Sequence, residues 1–188
     1  MKNIKLLSFV GMVMLSAAVS LSAHAETIEL PERSSHFSAG LVGRGLGTSQ
    51  GGGISITTPY FSERRFALEL SGTYMNYATA IDPTKKDSNI KHFWIAALDF
   101  IWTTPITSRL RGSWKPLGLG IVPRIPGVVS GIAFTGRASI GLEYFTLQDG
   151  WISFFAEGGA AQTFDVKKNQ LVPFASGALI VSGIKFYL

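Results

Sequence analysis

The feature that most constrains this chain is an apolar period of two that recurs through long segments. Successive side chains of a β-strand point to opposite faces, so strict alternation marks a sheet whose two faces meet different surroundings. In 66–78, Phe66, Leu68, Leu70 and Tyr74 share one face, and Glu69, Ser71 and Thr73 share the other. In 89–102, Trp94, Ala96, Leu98, Phe100 and Trp102 oppose Lys91 and Asp99. In 130–145, Ile132, Phe134, Ala138, Ile140, Leu142 and Tyr144 oppose Thr135, Arg137, Ser139 and Glu143. In 150–164, Ile152, Phe154, Ala156 and Ala160 oppose Ser153, Glu157 and Thr163. The last segment sets Phe174, Ala178, Ile180, Ile184, Phe186 and Leu188 against Gly177, Gly183 and Lys185.

Eight strands are predicted, at 35–47, 51–61, 66–78, 89–102, 112–123, 130–145, 150–164 and 172–188. Short connections (Ser62 to Arg65, Thr103 to Arg111, Thr146 to Asp149) alternate with longer or more polar ones (Thr79 to Ser88, Arg124 to Val129, Asp165 to Leu171). Gly47 to Gly51 is short for the second series. No long repeat and no linker is visible, so one domain is expected.

Two architectures give this pattern. A soluble sandwich buries its apolar faces between sheets. A membrane barrel turns them to lipid and its polar faces to the lumen. Three features favour the barrel. The strands are longer than the 5–6 residues common in soluble sheets and suit a tilted membrane span. The polar faces carry few charges and many Gly, Ala, Ser and Thr, as a narrow packed lumen requires. Aromatic residues crowd the short connections: Tyr60, Phe66, Trp102, Trp114, Tyr144, Trp151 and Phe186 would form one interfacial girdle on the periplasmic side. In a barrel the final strand must pair with the first, because an open edge in lipid leaves backbone groups unsatisfied. This explains the strand-like ending VSGIKFYL, with Ile184, Phe186 and Leu188 on lipid and Lys185 in the lumen.

The start of the chain reads as a cleaved secretory signal peptide. Lys2 and Lys5 precede an apolar stretch from Leu6 to Val19, and Ala23-His24-Ala25 is a small-x-small cleavage site. The expected parts are a signal peptide at 1–25, a short periplasmic segment at 26–34 and a barrel at 35–188. Removing 25 residues from 188 leaves 163, and the formal charge falls from +5 to +3 without Lys2 and Lys5. That charge is too mild to argue for nucleic acid. The chain has no cysteine, so an exported protein of this size needs another source of stability.

On these strands the chain resembles the small eight-stranded outer-membrane barrels of Gram-negative bacteria, of the OmpA-domain, OmpX and NspA type. The resemblance covers 35–188, mostly as pattern. Its local motif is Gly183, Phe186 and Leu188, which looks like the C-terminal signal read by the barrel-assembly machinery; Leu188 stands where the family usually has Phe. It implies an all-β, antiparallel, up-and-down transmembrane barrel in the outer membrane. Short turns and both termini would lie in the periplasm, and the longer loops outside. Outer-membrane lipid, lipopolysaccharide and the assembly machinery are the implied partners of a monomer.

Candidate chemistry is sparse. Of the histidines, only His36 and His92 remain after cleavage. Some barrels of this type act on lipid A with a His, a Ser and an acid near the outer leaflet. Here His92 with Ser88 or Asp87 is the one candidate set, and an ordinary rim histidine is the simpler reading. No Cys/His cluster suggests a metal, no cofactor is expected, and Gly51-Gly52-Gly53 is read as hairpin glycine. The more informative set is Arg44, Glu69, Asp99, Arg137, Glu143, Glu157 and Lys185, all placed on the inward face. Eight strands leave room for side chains rather than a wide channel, so these charges must pair. Arg137 is expected to pair with Glu157, and Glu69 and Asp99 to lie close enough to share a proton or a cation. The basic outer loops, with Lys85, Lys86, Lys91, Arg124, Lys167 and Lys168, are candidate lipopolysaccharide contacts. The expected role is structural or interactional (envelope integrity, lipopolysaccharide contact, adhesion), with a narrow pore and a lipid A enzyme as alternatives.

Overall fold

The computed structural model describes residues 28–78, 90–123, 129, 131–168 and 170–188, with the side chains of Ala78, Ile90 and Lys91 excepted. Residues 1–25, read from the sequence as a signal peptide, lie outside them. The strands are β1 (Ser38–Leu46), β2 (Ser49–Thr57), β3 (Phe66–Ala78), β4 (Ile90–Thr107), β5 (Leu110–Val122), β6 (Ala133–Phe145), β7 (Ile152–Asp165), the two-residue β8 (Gln170–Leu171) and β9 (Gly177–Tyr187). Each long strand pairs antiparallel with its chain neighbours. β9 pairs with β7 on one side and β1 on the other, which closes an eight-strand ring. β8 merely pairs antiparallel with the last two residues of β7, Phe164 and Asp165. Among the described residues the strands form a single sheet closed on itself, so the fold is a closed all-β barrel and the sandwich is excluded.

The first strand begins later than the alternation suggests. Residues Glu32–Ser35 form a 3₁₀ turn instead, which buries Ser34 at the barrel mouth. The first hairpin is tighter than expected. Leu46 pairs with Ser49, leaving Gly47 and Thr48 as the turn, and Gly47 takes a left-handed φ of 56° that favours glycine. Gly51–Gly53 are therefore strand residues, not hairpin residues. The β4–β5 turn shrinks to Ser108 and Arg109, because the Thr107 hydroxyl accepts from the Arg109 and Leu110 amides at 3.3 and 3.1 Å. In the β2–β3 turn Ser62, Glu63 and Arg64 are all left-handed, at φ 48°, 60° and 63°, a conformation that costs about 1–2 kcal/mol per residue.

Ladder irregularities matter more than these boundaries. Phe100 faces Leu117 but Trp102 faces Trp114, and Lys115 faces Ser139 but Gly118 faces Arg137. β5 thus bulges at Lys115–Leu117. Pro116 sits in the bulge, where its missing N–H removes no regular ladder bond. The bulge switches the inward parity, from Arg111 and Lys115 before it to Gly118, Gly120 and Val122 after it.

Candidate functional site

Two surfaces of the barrel differ sharply in chemistry. Outside, Leu41, Ile54, Leu70, Trp94, Leu119, Phe134, Leu142 and Ile180 are exposed, Ile180 to 66%. Inside, every charged strand residue with a described side chain is turned to the lumen: Arg44, Glu69, Asp99, Arg111, Lys115, Arg137, Glu143, Glu157, Asp165 and Lys185. A protein folded in water shows the opposite arrangement.

The lumen is filled in three layers. At the end bearing the short turns, Tyr60, Ala67, Ile101, Phe145 and Tyr187 pack together, with Leu30 against them. Arg111 stands among these rings, its guanidinium 4.3 Å from the Tyr60 ring centre. It donates to the Ser34 carbonyl at 2.9 Å, to Glu143 Oε2 at 2.7 Å and to Tyr187 Oη at 2.6 Å. Glu143 also accepts from Tyr187 Oη at 2.5 Å and from the Ser153 hydroxyl. Both oxygens of the carboxylate thus accept hydrogen bonds, and the N-terminal segment is tied into the mouth.

The middle layer is the ion network. Lys115 Nζ lies 2.7 Å from both Glu69 Oε1 and Glu157 Oε1, and Lys185 Nζ lies 2.8 Å from Glu69 Oε2. Lys185 reaches across β1 and β2 because Gly40 and Ser55 fill the intervening inward positions. Glu69 and Asp99 are direct cross-strand partners, yet each has its own cation. Asp99 takes Arg137, whose Nε donates to Asp99 Oδ1 at 2.6 Å. Asp99 and Arg137 flank Gly118 in the ladder, and a Cβ there would run into both. Arg44 differs from the rest: it is 5% exposed, its Nη2 donates to Ser71 Oγ at 3.3 Å, and it forms no carboxylate ion pair among the described residues.

The third layer closes the other end with apolar side chains, among them Val42, Leu46, Met75, Phe93, Val122 and Leu179. The chain between β8 and β9 turns into it as a 3₁₀ turn, Pro173–Ala175. Phe174 stacks on Tyr77 with ring centres 4.0 Å apart and meets Phe93 edge-on at 5.2 Å. Ser49 Oγ donates to the Phe174 carbonyl at 2.6 Å.

Several sequence expectations change here. Arg137 does not pair with Glu157: the register sets Arg137 opposite Ala161 and Glu157 opposite Gly141, so the two differ in height. Tyr60 leaves the outer girdle for the interior, drawn by Arg111. Phe66, Trp102 and Trp114 stay partly exposed, and Tyr144, Trp151 and Phe186 are exposed. Phe174 is inside, not on the outer face. Arg111 and Lys115 join the lumen set. Arg111 falls in the connection that the alternation predicts at 103–111, and the Trp-Lys-Pro-Leu step at 114–117, whose proline signals the bulge, breaks the parity that would place Lys115.

The terminal strand carries Phe186 and Leu188 outward, and Gly183 lies opposite Val42 and Phe155 in the ladders. Lys85, Lys86, Asp87, Ser88 and Arg124 lie outside the described residues, as does the Lys91 side chain. Lys167 and Lys168 are exposed, and their amides donate to Asp165 Oδ1 at 3.0 and 3.3 Å. His92 is on the outer face, with Nδ1 2.6 Å from Asn76 Oδ1 and its ring stacked on Tyr74. His36 Nδ1 lies 3.0 Å from the Leu188 oxygen, beside the β1–β9 seam. Among the described residues no cluster of His, Asp and Glu has the makings of a metal site.

No family model matches the chain, and no curated protein matches it. Among solved structures, the crystal structure of the N-terminal β-barrel domain of Pseudomonas aeruginosa OprF is similar at 18% identity, over 82% of this chain and 98% of that one, with a TM-score of 0.46.

Proposed function

We propose that this chain is an exported, integral outer-membrane barrel that does not conduct ions and acts through its surfaces, as a structural or interaction protein of the cell envelope. The observation that carries this is the inverted surface: apolar side chains outside, and strand charges confined to a lumen that is closed by apolar side chains at one end and by rings packed around the Arg111–Glu143 pair at the other. An uncovered apolar belt of this kind calls for lipid as its solvent. Contact with lipopolysaccharide through the basic outer loops, a monomeric state and insertion through the terminal Gly183, Phe186 and Leu188 belong to the same proposal.

A pore is the natural competitor, and the outer apolar layer argues against it. An ion leaving the middle layer would have to shed its hydration to pass Phe174, Met75 and Leu179, and an unpaired charge in such surroundings is very costly. Reconstituted into planar bilayers, the protein is expected to give no unitary current steps. Reproducible steps that persist at low voltage would overturn the closed-lumen reading and favour the pore.

A further inference from the structure

We propose that a groove on the outer face of the barrel holds one acyl chain of an anionic phospholipid, with its phosphate on Arg65. This rests on the membrane placement proposed above. The groove encloses about 360 Å³ at the end bearing the short turns. The ladder sets Thr104 opposite Gly112, Gly112 opposite Leu142, and Leu142 opposite Ala156. This strip crosses β4 to β7, about 14 Å at sheet spacing. It is hollowed where Gly112 and Ala156 offer little side chain. Trp102 and Trp114, with ring centres 5.5 Å apart, stand along one side, and Ile106 lines the groove beside Gly112. The surroundings are those of a hydrocarbon slot.

One charged residue lines it. Arg65 is 42% exposed, and its ion pair is with the exposed Glu63 at 3.8 Å. An exposed pair at that distance is worth little and exchanges readily for a phosphate, which guanidinium grips with two parallel N–H groups. Arg64 and Arg109, on turns at the same barrel end, add to the positive rim. The indoles mark the depth where headgroups meet acyl chains. An apolar slot one chain wide with a guanidinium at its mouth suits a lipid of net negative headgroup. A zwitterionic one brings an ammonium into the same basic rim.

The test uses the full-length barrel in mixed micelles with equal amounts of phosphatidylglycerol and phosphatidylcholine, read by native mass spectrometry. The variants are Gly112→Leu and Arg65→Gln. A Cβ at Gly112 would meet Ile106 Cδ1 and Thr104 Cγ2 at 3.4 Å, an ordinary contact, so the leucine fills the groove without disturbing the barrel. The wild type is expected to keep one phosphatidylglycerol under activation that strips the phosphatidylcholine. Gly112→Leu should lower that retention about tenfold, equivalent to about 1.4 kcal/mol. Arg65→Gln should keep lipid but lose the preference for the anionic one. Equal retention by all three proteins would mean unspecific annular lipid and would overturn the proposal. So would a dimer that Gly112→Leu abolishes, because the groove would then belong to a second copy. Heat-modifiability on a detergent gel confirms that each variant is a folded barrel. A wild type that is soluble without detergent would sink the membrane placement itself, a different outcome from loss of the groove.

Discussion

Glu69→Ala should destabilise the barrel by about 3–5 kcal/mol, the range for removing one partner of a buried ion pair. Among the described residues Glu69 is the one carboxylate shared by two lysines, and its side chain is 4% exposed. Its loss leaves the two lysines unequal. Lys115 keeps Glu157 at 2.7 Å, whereas Lys185 loses its only ion pair among the described residues. The damage should therefore sit mainly on Lys185. Adding Lys185→Met to Glu69→Ala removes the stranded ammonium, and the double variant is expected to regain a substantial part of the loss. Urea unfolding of the barrel in lipid vesicles measures both. A single variant within about 1 kcal/mol of wild type would mean that the middle layer is hydrated and its charges are individually dispensable.

Arg111→Met is the second large effect, again about 3–5 kcal/mol, because it leaves Glu143 buried without its cation. It has a consequence that Glu69→Ala lacks. Arg111 Nη1 also holds the Ser34 carbonyl, so the N-terminal turn loses its tie to the barrel mouth. Trypsin cleavage after Arg33 should then accelerate well before the strands are cut. Arg111→Lys should not rescue this, since one ammonium on a flexible stem cannot hold Ser34, Glu143 and Tyr187 together with the geometry of the guanidinium fork. Unchanged cleavage in Arg111→Met would show that the segment is held by Leu30 and the Tyr60–Ser35 backbone bond instead.

The strands were legible because the alternation is a direct imprint of two chemically different faces. The bounds of β3 match the predicted 66–78, and the charges assigned inward from parity do point inward. What the pattern could not carry was height and partner. In a barrel this narrow a side chain meets residues two or three strands away, and register decides which ones. Arg137 reaches Asp99 over Gly118, a bridge that exists because the intervening strand presents no side chain at that level. Parity also fails wherever a bulge adds a residue, and that is why Lys115, the hub of the network, escaped. Tyr60 and Phe174 escaped for another reason. Both lie beyond the regular strands, where alternation no longer tells inside from outside, and both were drawn inward by partners that only the closed fold supplies: Arg111 for one, Tyr77 and Phe93 for the other.

Membrane lipid is the proposed solvent of the apolar outer face. The most direct measurement is heat-modifiability of the protein in isolated outer membranes, comparing unheated and boiled samples on a detergent gel. A ring with every long strand paired on both edges resists detergent until it is boiled, so a mobility shift in the outer-membrane fraction is expected. Recovery of the protein in the soluble periplasm, with no shift on boiling, would contradict it.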